Sequence, residues 1–140
     1  MTSTPNPSAD EKDICQLIER AYDALEFEPD SNPDWDEFAA VFEERCVLAL
    51  RVFPQDEHIR VLSLQEYMKA QMENDLGDQG YSETPGERSV YMCGDVARVE
   101  QMFTMNFALQ DPVLAIDIFS LIRNNKTWKI VSVVSDMASQ

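Results

Sequence analysis

From Ser89 to Ser135 the residues alternate between apolar and polar in the manner of extended chain, and two turn signals fold those stretches into hairpins. The first signal is Gly94-Asp95. With these two residues as the loop, Val90 faces Val99 and Met92 faces Ala97 on one side of the ribbon, while Tyr91 faces Arg98 and Ser89 faces Glu100 on the other. One side is apolar and the other polar. The second signal is Asn124-Asn125, residues that tolerate positive φ. This loop sets Leu121 against Trp128, Phe119 against Ile130 and Asp117 against Ser132, with Ile116, Ile118, Val131 and Val133 on the opposite face. Both faces of that hairpin are apolar, and a few helices cover only one face of a sheet. A homodimer through the sheet is the expected cover for the other. The connection carrying Pro112 leaves the register of Val96–Phe107 against Ala115–Arg123 unassigned.

The first half of the chain is written for helices. Residues 1–8, rich in Thr, Ser and Pro, read as a disordered lead-in, and Ser8 with Glu11 as a capping box. Ile14, Leu17, Ile18, Ala21, Tyr22 and Leu25 recur at helical spacing and form one apolar stripe ending before Pro29. Asp34 with Glu37 opens a second, shorter helix with Trp35, Phe38, Ala39 and Phe42 on one face. Cys46 to Phe53 reads as a strand covered on both faces, and His58 to Leu62 as a short second strand. Ser63 with Glu66 caps a third helix with a stripe of Leu64, Tyr67, Met68, Gln71, Met72 and Leu76, and Gly77 stands where a left-handed C-terminal cap is wanted. Helices leading and antiparallel strands following make an α+β domain over residues 9–140.

At 140 residues the chain is long enough to bury roughly two-thirds of the surface its unfolded form exposes. Its 26 acidic and 11 basic residues leave a net charge of −15, and the basic residues are scattered, so nucleic acid and anionic membranes are not expected partners. No signal-like leader or membrane-length apolar run is apparent, which points to a cytoplasmic protein. Cys15, Cys46 and Cys93 are widely spaced in apolar stretches and read as reduced core thiols. The single histidine, His58, lies in the charged run QDEH without clustered partners, so no metal or cofactor is expected.

The element order, together with GYSETPGERSVYMCGDVARVEQMF and IDIFSLIRNNKTWKIVSVVSD, resembles SnoaL-like and related members of the nuclear transport factor 2-like superfamily. The features shared are a Gly-Asp turn before an Ala-x-Val strand and a closing Trp-x-Ile-Val-Ser strand. The resemblance implies a cone-shaped fold in which three helices plug a curved, mostly antiparallel sheet around a pocket. It implies no single activity, since that superfamily holds isomerases, dehydratases, cyclases and transport factors.

Asp117 is the first candidate site residue. Period-two alternation places its carboxylate on the face of Phe119, Leu121, Trp128 and Ile130, where desolvation raises a carboxyl pKa and produces a general base or a neutral donor. The simpler reading has Asp117 hydrogen-bonded to Ser132 or to backbone at the sheet rim. Tyr91 is the candidate donor to a developing oxyanion, with Tyr67 as the other choice. Tyr22, Trp35, Tyr67, Met102, Asp117, Phe119 and Trp128 are the expected ligand contacts. Glu83 and Arg88 flank Pro85-Gly86, which a strand admits only at an edge or bulge, and an exposed turn with solvated charges is the simpler account. Two functions follow: a dimeric, non-catalytic binding module for a small apolar or aromatic molecule, or an isomerase, dehydratase or cyclase that uses a buried Asp as acid and base.

Overall fold

A computed structural model describes residues 7–138. Helix α1 (Pro7–Leu25) begins on a proline, whose fixed φ suits the first helical turn, so the expected Ser8 cap falls inside the helix. Residues 1–6 of the expected lead-in lie outside the described residues. The predicted stripe of α1 is buried along its whole length, and Ile14 and Ile18 are fully enclosed. Helix α2 (Trp35–Ala40) starts at Asp34, whose side chain accepts from the Glu37 amide. Phe42 belongs to the next strand rather than to this helix. Helix α3 (Leu64–Gln71) carries the full Ser63/Glu66 capping box. It stops at Met72, and a one-turn helix α4 (Leu76–Gln79) follows. Gly77 is therefore helical, and the positive-φ cap is Gly80, at φ 78°. A Cβ there would approach the Phe27 carbonyl and Pro29 to 3.0 Å.

Six strands form one sheet: β1 (Phe42–Leu50), β2 (Arg60–Ser63), β3 (Tyr81–Cys93), β4 (Val96–Phe107), β5 (Val113–Asn124) and β6 (Thr127–Met137). Their order is β2-β1-β6-β5-β4-β3, antiparallel except for the β1–β6 pair. The helices cover the inner face, where Val99, Phe103, Phe119, Leu121, Ile130 and Val133 meet the stripes of α1 and α3. The first hairpin has the predicted register, from Met92 opposite Ala97 to Ser89 opposite Glu100. The β4–β5 register runs without a break from Val96 opposite Ile122 to Met105 opposite Val113, which places Gln101 directly beside Asp117.

The second hairpin differs from expectation. Its loop is Asn125-Lys126, at φ 51° and 66°, so Arg123 meets Trp128 and Leu121 meets Ile130. A bulge then inserts Val131, because Leu121 pairs with Ile130 whereas Ser120 pairs with Ser132. Beyond the bulge Asp117 lies opposite Ser135, not Ser132, and Val133 turns inward, not outward. A second bulge, in the edge strand β3, lies between Pro85 and Arg88. Strand β1 is covered on one face only: Cys46 and Leu48 are buried while Val47 is exposed. Of the three free cysteines only Cys46 is a core thiol, since Cys15 is half-buried and Cys93, beside the first turn, is exposed. Among the described residues no helix is long and apolar enough to cross a membrane.

Candidate functional site

Strands β3, β4 and β5 present Glu83, Gln101 and Asp117 to the inner face, and α1 lays Tyr22 over them. Asp117 is only 7% exposed, and the Tyr22 hydroxyl donates to its Oδ2 at 2.6 Å. The Tyr22 ring is fixed by two aromatic neighbours, Phe103 at 5.7 Å and Phe119, edge-on, at 6.2 Å between centroids. Tyr22, Tyr67, Glu83, Phe103, Asp117, Phe119 and Ser135 line an internal cavity of about 40 Å³, which Phe38 and Met105 help to close. That volume holds about three or four waters at roughly 10–15 Å³ each. Arg51 and Asp136 stand at its rim, joined at 2.8 Å, and Asp56 accepts from the amides of Val52 and Phe53 to fold the following loop.

Both carboxyl groups are pushed upward. Burial raises Glu83 most, and the neighbouring Asp117 charge raises it further, to about 8. Burial raises Asp117 to about 6, with hydrogen bonds from Tyr22 and Ser135 holding it down. The two titrate as one pair, and both midpoints lie above the ordinary carboxylate range. Tyr22, Tyr67 and Tyr81 are all raised by burial in the first place and then by these carboxylates, so their hydroxyls stay protonated. Tyr81 donates to Glu83 Oε2, leaving the second Glu83 oxygen free of a tyrosine donor.

Of the residues singled out in the sequence, Asp117, Tyr22, Tyr67 and Phe119 come together in this cavity. Four others do not. Tyr91 is 60% exposed on the opposite face, under the Arg98 guanidinium, because it has the parity of Arg98. Met102 has the parity opposite to Gln101 and Phe103 and pairs with Ile116 on the outer face. Trp35 packs edge-on against Phe38 at 5.6 Å and does not reach the cavity lining. Trp128 shares the inner face but sits near the hairpin end, 4.9 Å beneath Arg123. Two inner-face residues were not among the expected site residues. Glu83 is not in an exposed turn, since the bulge carries it inward, and Gln101 is fully buried. A Gln at the inward position of the otherwise apolar series Val99, Phe103 and Met105 was the available signal.

No protein-family model matches this sequence, and comparison with curated proteins finds no match. Solved structures do resemble it. A protein with a cystatin-like fold from Novosphingobium aromaticivorans, described as nuclear transport factor 2-like, superposes with a TM-score of 0.74 over 99% of this chain and 92% of its own, at 16% identity. The fold is nuclear transport factor 2-like. Within that fold, a second protein of N. aromaticivorans, described as a candidate scytalone dehydratase, matches at a TM-score of 0.71 and 12% identity, over 95% of this chain and 87% of that one. A candidate dehydratase of the same fold from Streptomyces avermitilis matches at 0.71 and 14%, over 96% and 100%.

Proposed function

We propose that this nuclear transport factor 2-like chain is an acid–base enzyme of the isomerase or dehydratase kind, acting on a small, uncharged carbonyl compound. The observation that carries the reading is one cavity with two unlike carboxyl groups, Asp117 held by Tyr22 at 2.6 Å and Glu83 beside it. Near neutral pH the pair divides its roles: Asp117 is ionised and takes a proton from the carbon next to the carbonyl, while protonated Glu83 donates to the developing oxyanion. Tyr22 fixes the base, and its hydrogen bond favours the ionised form. Two carboxyl groups and no unpaired cation in the lining disfavour an anionic substrate. The non-catalytic alternative, a pocket for an apolar ligand, accounts for the largely apolar lining of this cavity but leaves Glu83 and Asp117, two carboxyl groups in that lining, without a role. Any substrate needs more room than about 40 Å³, so the cavity must widen to admit one.

Deuterium uptake at the carbon next to the carbonyl of 2-cyclohexen-1-one, followed by proton NMR, tests the proposal. Wild-type protein is expected to accelerate uptake, and Asp117→Asn to lose about 10²-fold or more of that acceleration. Equal rates with the two proteins would end the acid–base reading.

A homodimer through the outer face of the sheet is the second reading. Val134 (50% exposed), Val47 (44%) and Leu114 (48%) stand on that face with Ile116, Ile118 and Met102 among them. Sedimentation at micromolar concentration should give a dimer for the wild type and a monomer for Val134→Lys. A monomeric wild type would remove this reading.

A further inference from the structure

The two halves of β3 stand in different registers against β4. On the hairpin side Arg88 pairs with Gln101, and on the far side Pro85 pairs with Phe103 and Glu83 with Met105, so three steps along β3 answer two along β4. Both Glu83 and Arg88 consequently face inward although they are five positions apart, an odd step that in a regular strand puts side chains on opposite faces. Were the hairpin register to continue unbroken, Thr84 would take the place opposite Met105, and Glu83 would turn to the outer face. Something must hold the extra residue, because a bulge in an edge strand has no further strand to trap it.

We propose that Gln101 is the positioning residue that clamps this bulge and thereby keeps Glu83 in the cavity. Its side chain is wholly buried, and Nε2 donates toward the carbonyls of Gly86 at 3.0 Å, Glu87 at 3.1 Å and its own neighbour Met102 at 2.8 Å. The first two are the carbonyls of the bulge itself. Oε1 accepts from Arg88 Nε, and Arg88 continues to Glu19 on α1, the helix that carries Tyr22. The amide has one sensible orientation, since turning it over would set an oxygen against three carbonyls and an NH₂ group against a guanidinium. A single buried side chain thus ties the bulge to the sheet and, through Arg88, to the helix above Asp117. The groups around Glu83 are Tyr81 on its own strand, Tyr22 from α1, Tyr67 from α3 and Asp117 from β5.

The role in catalysis rests on the acid–base reading, whereas the placement of Glu83 does not, and the test separates the two by needing no substrate. Carboxyl ¹³C resonances of Glu83 and Asp117 are followed through a pH titration of the full chain, wild type against Gln101→Met. Release of the clamp predicts that the Glu83 midpoint falls by about two pH units or more toward the ordinary carboxylate range, while Asp117 stays raised by its burial. A side chain that merely fills space would lower the melting temperature and move neither midpoint. Folded Gln101→Met with Glu83 at its wild-type midpoint therefore overturns the proposal. If that variant does not fold, Arg88→Met replaces it, removing the Oε1 anchor together with the ion pair to Glu19. Loss of a nearby cation by itself raises a carboxyl pKa, so a fall at Glu83 in Arg88→Met supports the clamp, and a rise or no change rejects it. Loss of deuterium uptake in wild-type protein, with the Glu83 shift present, would remove the enzymatic reading and leave the clamp standing.

Discussion

Asp117 and Tyr22 lie 95 residues apart in the chain and 2.6 Å apart in space. Period-two alternation in β5 was enough to turn Asp117 toward the core, because its face also carries Phe119 and Leu121. The choice of Tyr22 as its donor was not legible, since helix periodicity says which side of α1 is buried and not what lies beneath it. Removing that donor has a definite sign. The Tyr22 hydroxyl favours the ionised form of Asp117, so Tyr22→Phe should raise the Asp117 midpoint in a carboxyl ¹³C titration and cost about 1–2 kcal/mol of stability in urea. A midpoint that falls would show that the hydrogen bond is not made in solution.

At the scale of elements, capping and turn signals held in part, and the bulge in β6 was the blind spot. Ser63/Glu66 and Gly94-Asp95 each appear where the residues place them, with the first hairpin's register complete. The second hairpin slipped because Asn124-Asn125 is the better pair for positive φ, yet the chain turns one residue later and forces Lys126 to φ 66°. A lysine in that region is strained, so Lys126→Gly should raise stability by about 0.5–1 kcal/mol, read from the urea midpoint with an unchanged slope. An unchanged or lower midpoint would argue against the turn described here. The bulge at Pro85-Gly86 was one of the two readings that the residues allowed, beside an exposed turn, whereas Val131 lies in the β-prone run Ile130–Val134 and gives no sign of one. Each moved a cavity residue, Glu83 in one case and Ser135 in the other.

For the whole molecule, the order of elements and the two hairpins sufficed for the α+β nuclear transport factor 2-like fold, while the cavity's volume depended on how closely Phe38, Phe103 and Met105 pack, which no spacing rule reports. The buried pair also sets how stability responds to pH. Glu83 and Asp117 keep their protons in the native state at a pH where the unfolded chain has released them. The native pair therefore binds more protons, and its contribution to stability is fully present below the ordinary carboxylate pKa and is lost as pH rises toward about 8. Glu83→Gln should remove part of that decline, gaining on the order of 2 kcal/mol at pH 9 and little at pH 4 in parallel thermal melts. Identical pH profiles for the two proteins would mean that Glu83 is solvated.

The bulge at Val131 has a consequence for how such a chain tolerates changes of length. Because Val131 alone has no opposite number on β5, dropping that one residue restores a regular ladder and leaves Trp128, Ile130, Val133 and Ser135 all pointing where they point now. A gap at Val133 enjoys no such immunity: with the bulge spent to absorb it, Ser132 would stand opposite Phe119 and put a hydroxyl where the core now holds a valine.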